Sequence, residues 1–542
     1  MTPRPIRPAA LAATALLALS ACSAATSGSP GAAGDDAPEP VRGGTLRYAL
    51  QADPQCIDPR QGGLTVSLVV TRSVVDSLVD QDPDTGEIQP WLAESWEVND
   101  DATEFTYHLR DDVTFSDGEP LTAELVRANL DSTVALGAQA GLPAQYLTGY
   151  EETRVVDEHT ATVVFSAPNS QFLQASSSMS LGLLSSASLE KSPEELCAGD
   201  YAASGPFVLE SFTPGSSAVV TRREGYDWAP ARAEHTGEAY LDRIEFSVVP
   251  EASVRTGSLQ SGQVDAIGDV PPHDVEQLES QGFTAATRPN PGNSGGLLVN
   301  ATRPGLDDPA VRAALQRSIN RRTIADTLFF GVVEPATSVL SDATPGWADQ
   351  SGALAYDPDA AAAALDAAGW VPGGDGVREK DGRRLTLTAA WNPAIGTAEQ
   401  TLELVQQQLR EVGVDLTLRR ITPTELADVL STRDYDLFYN SQVRPDPDVL
   451  WGLFSPDNPT NRHGGDDEDL ARVLDEQRTT TDPDVRWPLV ATAQERILAD
   501  GFALPIVESV AVVGAAPGVH GIGWEASSKP VFYDIWIEQE QG

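Results

Sequence analysis

Gly292-Asn293-Ser294-Gly295-Gly296 has the Gly-x-Ser-x-Gly spacing of a hydrolase nucleophile turn. That turn holds a serine hydroxyl above a sheet, with a strand before it and a helix after it. Here the order is reversed: Pro289 and Pro291 interrupt any strand ahead of the serine, and Leu297 to Asn300 reads as a strand behind it. The segment is better suited to hydrogen bonding, through Asn293, Ser294 and the amides of a glycine-rich crossing. No catalytic residue is assigned, and a serine hydrolase using Ser294 stands as the rival reading. A second candidate is Ser441-Gln442-Val443-Arg444-Pro445-Asp446-Pro447-Asp448, where Arg444 offers five donors to a carboxylate or phosphate-like group. The alternative for Arg444 is a pairing with Asp446 or Asp448 that only fixes the loop. The six histidines are scattered, with no pair at metal-ligand spacing, so neither metal nor cofactor is expected. No phosphate-binding Gly-x-x-x-x-Gly-Lys loop occurs, and the chain has only three lysines, Lys191, Lys380 and Lys529.

These residues must be positioned by an exported chain. Arg4 and Arg7 precede an apolar run from Ala9 to Leu19 that is too short to span a bilayer and reads as a secretory signal. Leu19-Ser20-Ala21-Cys22 resembles the lipobox of bacterial lipoproteins, which implies that Cys22 is acylated; the alternative is cleavage a few residues later, with Cys22 discarded. Ser23 to Pro40 is Ser, Gly, Ala, Asp and Pro without apolar periodicity, the composition of a flexible tether. Roughly 500 residues remain, enough for two or three domains. Acidic residues outnumber basic ones 80 to 36, a formal charge of -44, which excludes nucleic acid as a partner. Of the three cysteines, Cys56 and Cys197 are left in an oxidising compartment as a candidate disulfide.

The elements are mixed α and β. Leu46, Tyr48 and Leu50 alternate as in a half-buried strand, Phe105, Tyr107 and Leu109 repeat the pattern, and Thr122 is placed to cap a helix. Asp308-Pro309 and Asp357-Pro358 each open a helix, the second closed by Gly369. From Leu385 to Tyr439 the order is strand, a helix opened by a Thr397-x-x-Gln400 capping box, strand, helix, strand, which implies parallel pairing with right-handed crossovers. In such sheets ligands bind beyond the carboxyl ends of the strands. That places Trp391, Asn392 and the segment from Asn440 to Asp448 at a crevice, with Tyr439 and Trp451 as nearby aromatics. Pro289 to Gly296 leads from a first lobe into a second, and the chain after Pro505 returns.

The runs Pro90 to Trp96, Phe115 to Ala123, Ser204-Gly205-Pro206-Phe207, Tyr226-Asp227-Trp228, Ser261 to Asp265, Val311 to Ala314 and Tyr356 to Trp370 follow in an order that resembles family 5 extracellular solute-binding proteins, the peptide, opine and nickel-chelate receptors of ATP-driven importers. The likeness covers nearly the whole mature chain. It implies an α/β bilobal clamshell of the periplasmic-binding-protein kind, with an extra domain inserted in the first lobe. The layout is a signal peptide at 1–21, a tether at 22–42, base parts at 43–80, 205–290 and 515–542, an insert at 81–204 and a second lobe at 291–514. It further implies a monomer anchored by lipid on the outer face of the cytoplasmic membrane, not an enzyme, that delivers oligopeptides or similar small polar solutes to an ABC permease and its separate ATPase subunits. Peptide-binding members hold the ligand's ammonium with an aspartate three residues before an Asp-Pro pair. Here that position is Val443, so either another acid such as Asp58 serves, or the solute is a metal chelate, opine or oligosaccharide. The expected ligand residues are Asn293, Ser294, Trp391, Asn392, Tyr439, Asn440, Gln442, Arg444 and Asp446.

Overall fold

A computed structural model describes residues 39–538 apart from Ala394, Pro459, Thr460 and Asp466. The signal segment, Cys22 and nearly all of the tether lie outside the described residues. The alternating run Thr45–Leu50 is a strand, and it lies between Arg243–Val248 and Ala266–Gly268, parallel to both. Thr45 and Arg47 are partly exposed and Leu46, Tyr48 and Leu50 buried, as in a half-buried strand; only Ala49 departs, buried as fully as Leu46 and Leu50. The full sheet has seven strands, with Thr284–Pro289 at one edge and Phe207–Thr213 at the other.

An antiparallel four-stranded sheet is inserted into this lobe, in the order Ala93–Val98, Glu104–Leu109, Thr160–Phe165, Tyr150–Asp157. Phe105, Phe165 and Phe172 pack edge to face or tilted in its core, and Thr122 caps the helix Ala123–Ala135 by accepting from the Leu125 amide. The insert and the first lobe share one continuous apolar core.

The second lobe is built on five strands in the order Asp415–Arg420, Thr386–Trp391, Leu437–Val443, Gly292–Val299, Ala503–Val507. The first three are parallel, as the alternating pattern implies. The helix Ala398–Glu411 that joins two of them buries Leu402, Val405 and Leu409. Its start differs from expectation: Thr397 has helical backbone angles and caps nothing, so the capping box does not form there. One does form at Thr422, whose backbone amide donates to Glu425 at 2.9 Å.

The chain passes between lobes twice. The first crossing is only Asn290 and Pro291, since Thr284–Pro289 still belongs to the first sheet and Gly292–Val299 to the second. The glycines of Gly292-x-x-x-Gly296 are therefore strand residues. A Cβ on Gly292, whose φ is +119°, would stand 2.0 Å from the Gln442 carbonyl, and one on Gly296 would stand 2.4 Å from that of Leu504. Close strand packing, not a nucleophile turn, requires them. The return occurs at Glu508 and Ser509 rather than at 515, because Val510–Ala515 is already paired with Thr284–Pro289 and Ala266–Gly268. The two crossings are tied together: the Asn290 amide donates to the Ser509 carbonyl at 2.7 Å, and the Asn290 side chain to the Ser509 hydroxyl at 2.9 Å.

Cys56 and Cys197 are joined in a disulfide that closes a loop of sequence separation 141, around much of the insert. Replacing both by serine is expected to cost about 2–4 kcal/mol of stability, because the unfolded chain regains the freedom that the crosslink removes. Denaturant unfolding of the double variant beside the oxidised parent measures it, each with its own m-value, since the less compact unfolded state of the double variant is expected to raise m.

Candidate ligand-binding site

Between the lobes lies a cavity of about 230 Å³. The carboxyl end of Leu437–Val443 and the loop after it supply the second-lobe wall, with Gln442 and Arg444; the first lobe supplies Tyr146, Gln174, Ser177 and the turn Glu525 to Lys529. Arg444 reaches across. Its guanidinium donates to the Gln145 side-chain oxygen at 3.1 Å and stands 5.8 Å from the centre of the Tyr146 ring. A larger groove of about 830 Å³ lies between Ala167-Pro168 and the helix Glu468–Glu476, but surface ion pairs such as Arg472–Glu476 line it, and none of the expected ligand residues is there.

The loop that presents Arg444 is held by other cations. Arg486 grips Asp446 with two bonds of 2.6 and 2.8 Å, and Asp448 takes Gln477 and, at 3.4 Å, Arg478. The pairing of Arg444 with Asp446 or Asp448 is therefore not what fixes the loop. Burial pushes the Asp448 carboxyl up to about 6 despite Arg478. Asp58 does not reach the cavity either, since it is fully buried in a pair with Arg60 at 2.9 Å and also accepts from Gln61.

The remaining expected residues are placed in the second sheet or at its strand ends. Asn293 accepts from the Gln442 amide, and Ser294 donates its hydroxyl to the Ser338 carbonyl at 3.0 Å from inside a strand. Trp391 and Tyr439 are buried in the core of the second lobe. Asn440 is buried, and Asn392 follows the strand Thr386–Trp391. Of the nine, only Gln442 and Arg444 line this cavity.

What the sequence reading missed is the turn at the other end of the chain. Glu525 and Lys529 are both nearly buried, 3.9 Å apart, and Lys529 donates to the Ser527 hydroxyl at 2.6 Å. Burial alone would raise the Glu525 carboxyl, but Lys529 and Arg72 together hold it below the usual range. Burial lowers the Lys529 ammonium; Glu525 opposes this, and Arg444 and Arg72 add to it. The one available signal was the rarity of lysine in so acidic a chain.

Residues 87–462 match the family described as bacterial extracellular solute-binding proteins, family 5 Middle. The chain belongs to this family. Over 470 residues it is 26% identical to the glutathione-binding protein GsiB of Escherichia coli (strain K12), covering 83% of this chain and 86% of that one. Its fold is similar to NikA from Brucella suis, solved with Fe(III)-EDTA, at TM-score 0.79 and 23% identity over 91% of this chain and 100% of that one. It is also similar to DppA from Helicobacter pylori with peptide STSA, at TM-score 0.74 and 20% identity over 92% and 99%. This family 5 protein is an extracytoplasmic solute-binding receptor of the kind that serves ABC importers, and its α/β clamshell is the fold of those structures. Among the described residues no group of His, Cys, Asp and Glu is arranged to hold a metal ion, and no helix is long and apolar enough to cross a membrane.

The receptor's hinge carries a buried acid. Glu508, in the second crossing, makes no hydrogen bond of good geometry through either carboxylate oxygen among the described residues, and burial, helped by Asp342, pushes it up to about 8 against the smaller opposing effect of Ser341, Thr337 and Ser294 nearby. A carboxyl whose folded value is raised contributes stability below its unfolded value and loses it as pH rises through the folded one, here from about 4.5 to about 8. Glu508→Gln is expected to match the parent at acid pH and to exceed it in stability at the alkaline end of that window. Denaturant unfolding across that range checks it; parallel curves for the two proteins would rule the effect out.

Proposed function

We propose that this receptor captures a small solute bearing a carboxylate, of the peptide-like class that includes glutathione, and delivers it to an ABC permease whose ATPase subunits are separate chains. The observation that carries the reading is Arg444: it extends into the cavity toward uncharged Gln145 and Tyr146, while the nearby carboxylates of Asp446 and Asp448 are taken by other partners. The lining includes two cations, Arg444 and Lys529, against one carboxylate, Glu525, which favours an anion. The volume of about 230 Å³ lies below the roughly 300–1,000 Å³ of drug-sized pockets and suits a short solute better than a long peptide. The name of the curated relative points the same way. Val443 at the position of the usual ammonium anchor fits recognition through the acid end of the ligand.

Binding works by hinge closure. The ligand favours the closed form by the difference in its affinity for the two forms, and contacts from both walls supply that difference. The exported chain, a monomer, is held to the membrane through acylated Cys22, so the receptor searches for solute near its permease. The test is native mass spectrometry of the chain from Pro40 onward, purified gently and then denatured to release bound solute. Glutathione or short acidic peptides support the reading. A single anionic metal chelate would place this receptor with the chelate binders, and neutral or cationic cargo would overturn the anion assignment.

A further inference from the structure

The cations that line the cavity belong to different lobes, and both are tied to the crossing between them. Arg444 is on the second lobe, and its backbone amide donates to the Pro291 carbonyl at 3.0 Å. Lys529 is on the first, and its neighbour Ser528 donates a hydroxyl to the Pro289 carbonyl at 2.7 Å. Only Asn290 and Pro291 separate the two sheets at this point. A rotation about that link moves the two side chains relative to one another, because each is fixed to a different side of it. A third cation, Arg72, also acts on Lys529; it is held in the first lobe through Ser77 and the Ser177 carbonyl. The counter-charges are few. Glu525 is 3.9 Å from Lys529, whereas Asp80 is paired with Arg232 and Asp446 with Arg486. In a chain of formal charge -44 with three lysines, positive charge has been gathered at the root of the cleft.

We infer that Lys529 and Arg444 form a split specificity element: like charges on the two sides of the hinge oppose closure until an anionic group of the ligand sits between them. This rests on the anionic-ligand reading for its biological meaning, but its electrostatic part stands without any ligand. Uncharged solutes of the same shape leave the repulsion in place and close the lobes poorly. Selection for charge is thereby built into the conformational step and not only into the contacts made after closure.

The experiment is a distance measurement between spin labels on the complete, disulfide-bonded chain, at the exposed sites Val156→Cys on the insert and Val485→Cys on the second lobe. Without ligand, Lys529→Met is expected to shift the labels toward the short distance, raising the closed-to-open ratio roughly tenfold for charges interacting at an effective dielectric near 20. Arg444→Gln removes the same repulsion but also the bond to Gln145 across the cleft, so it is compared in a Gln145→Ala background, where the same shift is expected. Raising salt from about 50 to about 500 mM should do the same in the parent and less in either variant. Lys529→Arg, which keeps the charge, should behave as the parent. If Lys529→Met fails to fold, Arg444→Gln in the Gln145→Ala background carries the test from the other side of the hinge. Unchanged ligand-free distances in the folded uncharged variants would overturn the inference. Reduced glutathione, added to the parent as probe, separates the two ideas: if the variants shift the labels and glutathione does not, the charge element stands and the glutathione-class reading falls.

Discussion

Arg444→Gln is expected to weaken binding of reduced glutathione about 100-fold while leaving the unfolding transition close to that of the parent. The first part follows from what the guanidinium does. A charge-assisted, two-pronged bond to a carboxylate in a partly enclosed cavity contributes about 2–5 kcal/mol when one partner is truncated, and 100-fold corresponds to about 2.7 kcal/mol. The second part follows from what it does not do. Arg444 is only half-buried, and its partners Gln145 and Tyr146 are uncharged, so glutamine strands no buried charge. Lysine at the same position keeps the charge but loses the planar fork, so Arg444→Lys should fall between the two. Isothermal titration calorimetry together with thermal unfolding reads both quantities. Unchanged affinity in Arg444→Gln would sink the carboxylate-anchor role; a large fall in stability would mean that Arg444 holds the lobes together whether or not ligand is bound.

Arg486→Met is expected to do the opposite, costing about 3–5 kcal/mol of stability because it leaves the Asp446 carboxylate buried without its counter-ion. Arg486 gives Asp446 two bonds and also donates to Gln477, whose side chain holds Asp448. One residue thus orders the whole Asp446-Pro447-Asp448 turn, and the turn sets where Arg444 emerges. Binding should weaken as well, although Arg486 does not line the cavity. The double variant Arg486→Met, Asp446→Leu should recover most of the stability, since replacing both members of a buried pair removes the stranded charge. Chemical denaturation of the single and double variants measures this. A single-variant loss below about 1 kcal/mol, the size typical of an exposed pair, would mean that the turn is held by other contacts.

These two arginines show where reading the chain reaches its limit. Arg444 and Arg486 are the same residue type, and both belong to segments whose elements are legible from local pattern: a loop after a parallel strand, and a helix opened by Asp482 at Pro483. Which of them takes Asp446 depends on how Pro483–Ala499 lies against that loop, a contact between residues 40 positions apart. Local signals carry no information on it. The same holds for Ser294. The prolines before it and the apolar run after it argue against a nucleophile turn, but only the approach of the Gln442 and Leu504 carbonyls explains the glycines.

What the sequence determined by itself is whatever depends on neighbours in the chain: the alternation that makes Thr45–Leu50 a strand, the aspartates that cap helices at Pro309 and Pro358, and the strand-helix order that makes Thr386–Trp391, Asp415–Arg420 and Leu437–Val443 parallel. Its family motifs are likewise spread along the chain and were visible without coordinates. Only the tertiary structure decided that the cleft is closed by a turn near the carboxyl terminus. Lys529 faces the same cavity as Arg444, 85 positions earlier in the chain, because the chain returns through Ser509 to the first sheet and the turn from Glu525 to Lys529 folds back onto Pro289. Charges brought together by such a path interact through space, and nothing in the residues around either of them records the other.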